Sequence, residues 1–135
     1  MKTLFTVLLS SLFFVACGNA TSGEENQGEK RINDVEVEEI KSLMASQPGI
    51  ILDVRTEAEV AEGYIEGAQN IDITKGEFIK NASSIDKDKP VYVYCKMGGR
   101  SANASEKLAK SGYTKIYNMM GGFEAWKAAG YPVAK

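Results

Sequence analysis

The 135-residue chain contains no histidine. That absence removes the Cys–His and Ser–His catalytic pairs and the usual histidine-containing zinc sites. Cysteine is nearly as scarce. Cys17 and Cys95 stand alone and no Cys-x-x-Cys occurs, which argues against a general thiol–disulfide oxidoreductase. There is no Gly-x4-Gly-Lys-Ser/Thr segment, so Gly121-Gly122 is expected to form a tight turn before a helix rather than a phosphate cradle. Charge of neither sign dominates, and a net charge of −2 gives no reason to expect a nucleic acid partner. The apolar run from Leu4 to Ala16, broken only by Thr6, Ser10 and Ser11, is shorter than the roughly 20 residues that cross a bilayer. The remaining composition, 44% apolar and 25% charged, is ordinary for a soluble globular protein and sufficient for one domain with a modest core.

The most informative stretch is Val91-Tyr92-Val93-Tyr94-Cys95-Lys96-Met97-Gly98-Gly99-Arg100-Ser101. A short apolar, β-prone run delivers a cysteine into a glycine-bearing loop, and a helix-forming run from Ser101 to Lys110 follows. Successive N–H groups of such a loop can converge on an anion. The helix start adds unpaired N–H groups and the positive end of its dipole, and Lys96 and Arg100 add full charges. Each favours thiolate over thiol, so Cys95 is expected to be an acidic, nucleophilic cysteine activated by backbone and cations alone. The alternative is a small buried residue closing a strand. The convergence of glycines, cations and a helix start on one loop favours the reactive thiol.

This stretch resembles the active-site loop of the rhodanese-like domains, the single-domain sulfurtransferases, in which cysteine and arginine are separated by four residues and followed by Ser or Thr. Cys95, Arg100 and Ser101 fit that pattern. Leu52-Asp53-Val54-Arg55 resembles the family's Asp-Val-Arg strand end. The segment from Glu59 to Ile71 resembles its Glu-x3-Gly-His-Ile-x-Gly-Ala-x-Asn-Ile signature, with Tyr64 where the family usually has histidine. Gly121-Gly122-Phe123-Glu124-Ala125-Trp126 resembles its Gly-Gly-x-x-Ala-Trp ending. The resemblance covers about Ile32 to the C-terminus. It implies a cofactor-free, metal-free enzyme that passes sulfane sulfur from thiosulfate or a related donor to cyanide or a thiol through a persulfide on Cys95. The loop residues Lys96, Met97, Gly98, Gly99, Arg100 and Ser101 would bind the donor. Asp53 and Arg55 either support the Cys95 loop or form a local salt bridge or helix cap. Two alternatives are a sulfur carrier or redox sensor without turnover, and a phosphatase of the same fold. The phosphatase loop carries one more residue than the four found here.

The start of the chain carries a different message. Lys2 followed by the apolar run is a signal-peptide pattern. Phe14-Val15-Ala16-Cys17-Gly18 looks like a bacterial lipoprotein processing box, in which Cys17 is lipidated; an ordinary cleaved signal peptide is the alternative. Residues 1–16 are thus expected to be a signal peptide, 17–31 a lipidated cysteine and flexible tether, and 32–135 the folded domain. The domain would be monomeric and lipid-anchored in the cell envelope. Within it, Val37, Ile40, Leu43 and Met44 recur at helical spacing, and Pro48-Gly49 stops that helix. Ile50-Ile51-Leu52 fits a strand buried on both faces. Glu57 to Glu62 predicts a short helix, Asn70 to Ile73 a brief strand, and Phe78-Ile79 another short helix. Val91 to Tyr94 and Ile116 to Met119 predict strands. Ala102, Leu108 and Ala109 are expected on the inner face of the intervening helix, with Gly112 at its end. Phe123 and Trp126 anchor the last helix. Strands alternating with helices predict an α/β fold, a mostly parallel sheet of about five strands flanked by helices.

Overall fold

The computed structural model describes residues 31–135. The signal-peptide and Cys17 expectations lie outside the described residues. Five strands form one parallel sheet: β1 (Ile32–Val35), β2 (Ile50–Asp53), β3 (Gln69–Asn70), β4 (Val91–Tyr94) and β5 (Ile116–Met119), in the order β1-β5-β4-β2-β3. The helices are α1 (Val37–Ser46), α2 (Glu57–Ala61), α3 (Phe78–Ala82), α4 (Gly99–Lys110) and α5 (Gly122–Ala128).

The central strand β4 shows why the sheet is covered on both faces. Its side chains alternate, and all four are buried. Val91 and Val93, followed by Cys95, pack with Leu52, Phe78, Ala104 and Leu108 under α3 and α4. Tyr92 and Tyr94 point the other way, into a cluster with Ile40, Met119, Phe123 and Trp126 under α1 and α5. A tyrosine can occupy such a core only if its hydroxyl finds a partner. The Tyr92 hydroxyl reaches the Leu43 and Gln47 carbonyls at the end of α1, and the Tyr94 hydroxyl accepts the Ile65 N–H at 3.1 Å.

Four details differ from the sequence-based expectations. Ile32–Val35 is a strand paired with β5, where the sequence marked only the opening of the domain. The β3 ladder is Gln69–Asn70 rather than Asn70–Ile73. The Ile71 and Ile73 amides instead reach the Asp53 and Val54 carbonyls beyond that pairing. The helix after the cysteine loop begins at Gly99 instead of Ser101. Its inner face is Ser101, Ala104, Ser105 and Leu108, while Ala102 is exposed. The buried serines bond back to carbonyls of their own helix turn: Ser101 donates to the Gly98 carbonyl at 3.0 Å and Ser105 to the Ser101 carbonyl at 2.8 Å. Polar residues can therefore line that face at little cost.

Candidate active site

The site lies at the carboxyl edge of the sheet, where ligand sites of open α/β sheets assemble. Strand β4 ends at Tyr94, and Cys95 begins the turn into α4. Gly98 is the residue before that helix and has φ +111°, a left-handed conformation that favours glycine. This turn aims the Gly98 N–H at the Cys95 sulfur, 3.1 Å away. The Ser101 Oγ lies 3.5 Å from the same sulfur; it accepts from the thiol, and by turning its proton from the Gly98 carbonyl it can donate to the thiolate. Burial by itself would raise the thiol pKa. The Ser101 hydroxyl and the amides of Ser101, Gly98 and Met97 outweigh it, and leave Cys95 more acidic than an ordinary thiol.

The cysteine is also more enclosed than an open nucleophile. Cys95 is 1% exposed and belongs to the core cluster with Val93, Ala104 and Leu108. Apolar side chains pack against the residue, and the Gly98 amide addresses its sulfur. The exposed members of the loop are Lys96, Met97 and Gly99, with Met97 71% exposed.

The loop is pinned from behind by α5. The Phe123 and Glu124 amides donate to the Cys95 and Lys96 carbonyls at 2.8 and 3.1 Å. Contact this close requires Gly122, whose φ is +57°. A Cβ there would fall 2.5 Å from the Cys95 carbonyl oxygen. The glycine pair thus makes the expected turn, and it also carries a close approach to the loop that a two-glycine pattern does not reveal.

The cations do not all address the sulfur. Arg100 makes a two-pronged ion pair with Glu59, 2.7 Å at each prong. The Arg100 guanidinium draws the Glu59 carboxyl down to about 2 against the opposing effect of burial, and the Thr56 amide and hydroxyl assist. Sequence reasoning gave Glu59 no role of its own. Thr56-x-x-Glu59 is a capping-box pattern that marks the start of α2, but nothing in it signals a partner 41 positions away. Lys96 makes no ion pair among the described residues.

Asp53 and Arg55 form a buried pair beside the loop, 0% and 3% exposed. The Arg55 guanidinium donates to both Asp53 oxygens, with a shortest contact of 2.6 Å, and to the Gly63 carbonyl at 2.8 Å. It lies 4.2 Å from the centre of the Phe123 ring. Neither residue hydrogen-bonds to Cys95. Arg55 reaches the Glu59 carbonyl at 3.4 Å, so the pair meets the site through Glu59. The local salt bridge left open by the sequence is present. No group of metal-ligating side chains occurs among the described residues.

The rhodanese-like domain family model matches residues 36–129. The chain belongs to the rhodanese-like domain family. A protein of Bacillus subtilis is 45% identical over 76 residues, covering 56% of this chain and 59% of that protein. The thiosulfate sulfurtransferase GlpE of Pseudomonas fluorescens is 36% identical over 90 residues, covering 66% of this chain and 79% of that protein. Among solved structures, a rhodanese-related protein from Thermoplasma volcanium superposes with a TM-score of 0.67 at 30% identity, covering 76% of this chain and 97% of that one.

Proposed function

We propose that this rhodanese-like domain is a sulfurtransferase with Cys95 as its nucleophile. The observation that carries the reading is the set of amides and the Ser101 hydroxyl gathered on the Cys95 sulfur, which favours thiolate without a histidine. The name of the Pseudomonas fluorescens relative supports thiosulfate as a donor. In the proposed reaction the Cys95 thiolate attacks the outer sulfur of thiosulfate. A new S–S bond forms, the old one breaks, and its electron pair leaves with sulfite. The resulting persulfide is held by the same loop amides. Cyanide or a thiol then attacks the outer sulfur and releases the Cys95 thiolate. No net redox change or cofactor is needed. Met97, Gly98, Gly99 and Ser101 form the cradle, Lys96 and Arg100 meet the donor, and Asp53 and Arg55 hold the surrounding frame.

The same proposal takes residues 32–135 as the acting domain. It places them outside the cytoplasmic membrane on a lipid attached at Cys17 after removal of residues 1–16. The enclosure of Cys95 favours a second reading, a sulfur carrier that receives its sulfur from a dedicated partner. The four-residue spacing between Cys95 and Arg100 argues against the wider cradle of a phosphatase. The test is thiosulfate-dependent thiocyanate formation by the full chain and by Cys95→Ser. Activity is expected only in the unaltered protein, and equal rates would overturn the assignment.

A further inference from the structure

We propose that Glu59 is a specificity-determining residue: its carboxylate occupies the Arg100 fork and must be displaced before an anionic donor can use it. The inference rests on the sulfur-transfer reading and deepens it toward the charge of the donor. A guanidinium offers two parallel N–H groups to an oxyanion. In this chain both prongs are already taken, at 2.7 Å each. The occupant is not a casual surface contact. The Thr56 amide and hydroxyl each hold the Glu59 Oε2 at 3.0 Å, and Thr56 and Glu59 together cap α2. A carboxylate already fixed by its own helix loses little further freedom when it binds Arg100.

The surroundings give an arriving anion only single lysines beside the fork. Glu59 lines a cavity of about 170 Å³ with Lys96 and Phe123, and Arg100 lines a second of about 270 Å³ with Gly99, Asn103 and Lys107. The ion pair therefore belongs to both openings beside the loop. Three cations line the first cavity: Arg55, Lys96 and Lys127. Arg55 is paired with Asp53, and Lys127 with Glu124 at 3.0 Å. Lys96 alone of the three lacks an ion pair among the described residues, as does Lys107 in the second cavity. The Arg100 and Glu59 side chains are 33% and 26% exposed, so a small anion can compete for the fork. The entrance discriminates weakly in favour of anionic donors because its arginine is already neutralised.

Glu59→Gln isolates the charge, because glutamine retains the side-chain length and can serve in a capping box. The variant should lower the KM for thiosulfate about fivefold, with the change falling on KM rather than kcat, the effect of a partly exposed ion pair. A readout independent of turnover is the rate of Cys95 alkylation by anionic iodoacetate relative to neutral iodoacetamide. That ratio should rise about fivefold in Glu59→Gln and stay near the wild-type value in Glu59→Asp, which keeps the charge. A purely structural role would change both alkylation rates alike and leave the ratio fixed; that result, or a lower ratio, overturns the proposal. Absence of thiocyanate formation in every protein, with the ratio still rising, would overturn sulfur transfer and leave the role of Glu59 standing.

Discussion

Replacing Gly122 by alanine tests whether the acidity of the thiol is held in place from behind its loop. The added Cβ would lie 2.5 Å from the Cys95 carbonyl oxygen and 2.7 Å from that of Lys96, at a φ of +57°. An L-residue in that left-handed region costs about 1–2 kcal/mol. Both obstacles are backbone atoms, so relief requires α5 and the loop to separate. Separation weakens the Phe123 and Glu124 amide bonds to the loop, worth about 1 kcal/mol each. The loss should total about 3–4 kcal/mol, a fall in Tm of roughly 12–20 °C for a domain of this size. Two other glycines separate the contributions. Gly67 has φ +81° but open space around its Cβ position, and Gly76 has neither constraint. Gly67→Ala should cost about 1 kcal/mol and Gly76→Ala less than about 0.5 kcal/mol. Urea unfolding measures all three. The pH dependence of iodoacetamide alkylation then reports the thiol, whose pKa should rise only in Gly122→Ala. The reasoning fails if Gly122→Ala costs no more than Gly67→Ala, or if the thiol titrates identically in every variant.

Ser101→Ala removes the hydroxyl that favours the Cys95 thiolate, so the midpoint of alkylation against pH should move upward. An unchanged midpoint would show that the amides suffice. The depressed thiol pKa also links to stability. Between the folded value and the ordinary 9.0 the unfolded chain binds more protons, so stability rises with pH across that window and is lost as pH falls through the folded value. Urea unfolding of the wild type against Cys95→Ser should therefore show a difference that grows over this range; a flat difference contradicts it. Asp53→Asn leaves the Arg55 guanidinium buried without its countercharge. It should cost about 3–5 kcal/mol by the same unfolding measurement, and a loss under about 1 kcal/mol would mean the pair is far more solvated than its burial indicates.

The parts of the fold legible in the sequence were those whose residues were mostly apolar or carried a specific motif. Val91–Tyr94 and Ile116–Met119 announced strands, and Cys95 to Ser101 announced the site loop. Strand β1 was hidden because Asn33 and Asp34 interrupt its apolar ends, as an edge strand permits. The inner face of α4 was hidden because Ser101 and Ser105 satisfy themselves on helix carbonyls, so a buried stripe carried polar letters. The site shows the same limit. Cysteine, glycines and arginine could be found from local spacing. The pairing of Arg100 with Glu59 and the seating of α5 against the Cys95 carbonyl depend on which elements the sheet order brings together. Local propensity contains no such information.

That pairing also reassigns the source of the thiol's acidity. Two cations and a set of amides were the sequence-based explanation. In the folded chain Arg100 is held by Glu59 and acts on the thiolate only through its field, while the direct contacts that favour the thiolate come from the Ser101 hydroxyl and the amides of Ser101, Gly98 and Met97. These two sources respond differently to salt. The field of an exposed cation is screened over about 3 Å at 1 M ionic strength, against about 10 Å at 0.1 M. An amide in direct contact with a buried sulfur has no room for an intervening ion. Raising salt from about 0.1 to about 1 M should therefore leave the Cys95 alkylation midpoint nearly fixed. It should reduce the iodoacetate-to-iodoacetamide ratio in Glu59→Gln, where Arg100 is no longer neutralised. A midpoint that climbs with salt in the wild type would return the stabilisation of the thiolate to Lys96 and Arg100 and remove the backbone from its central place.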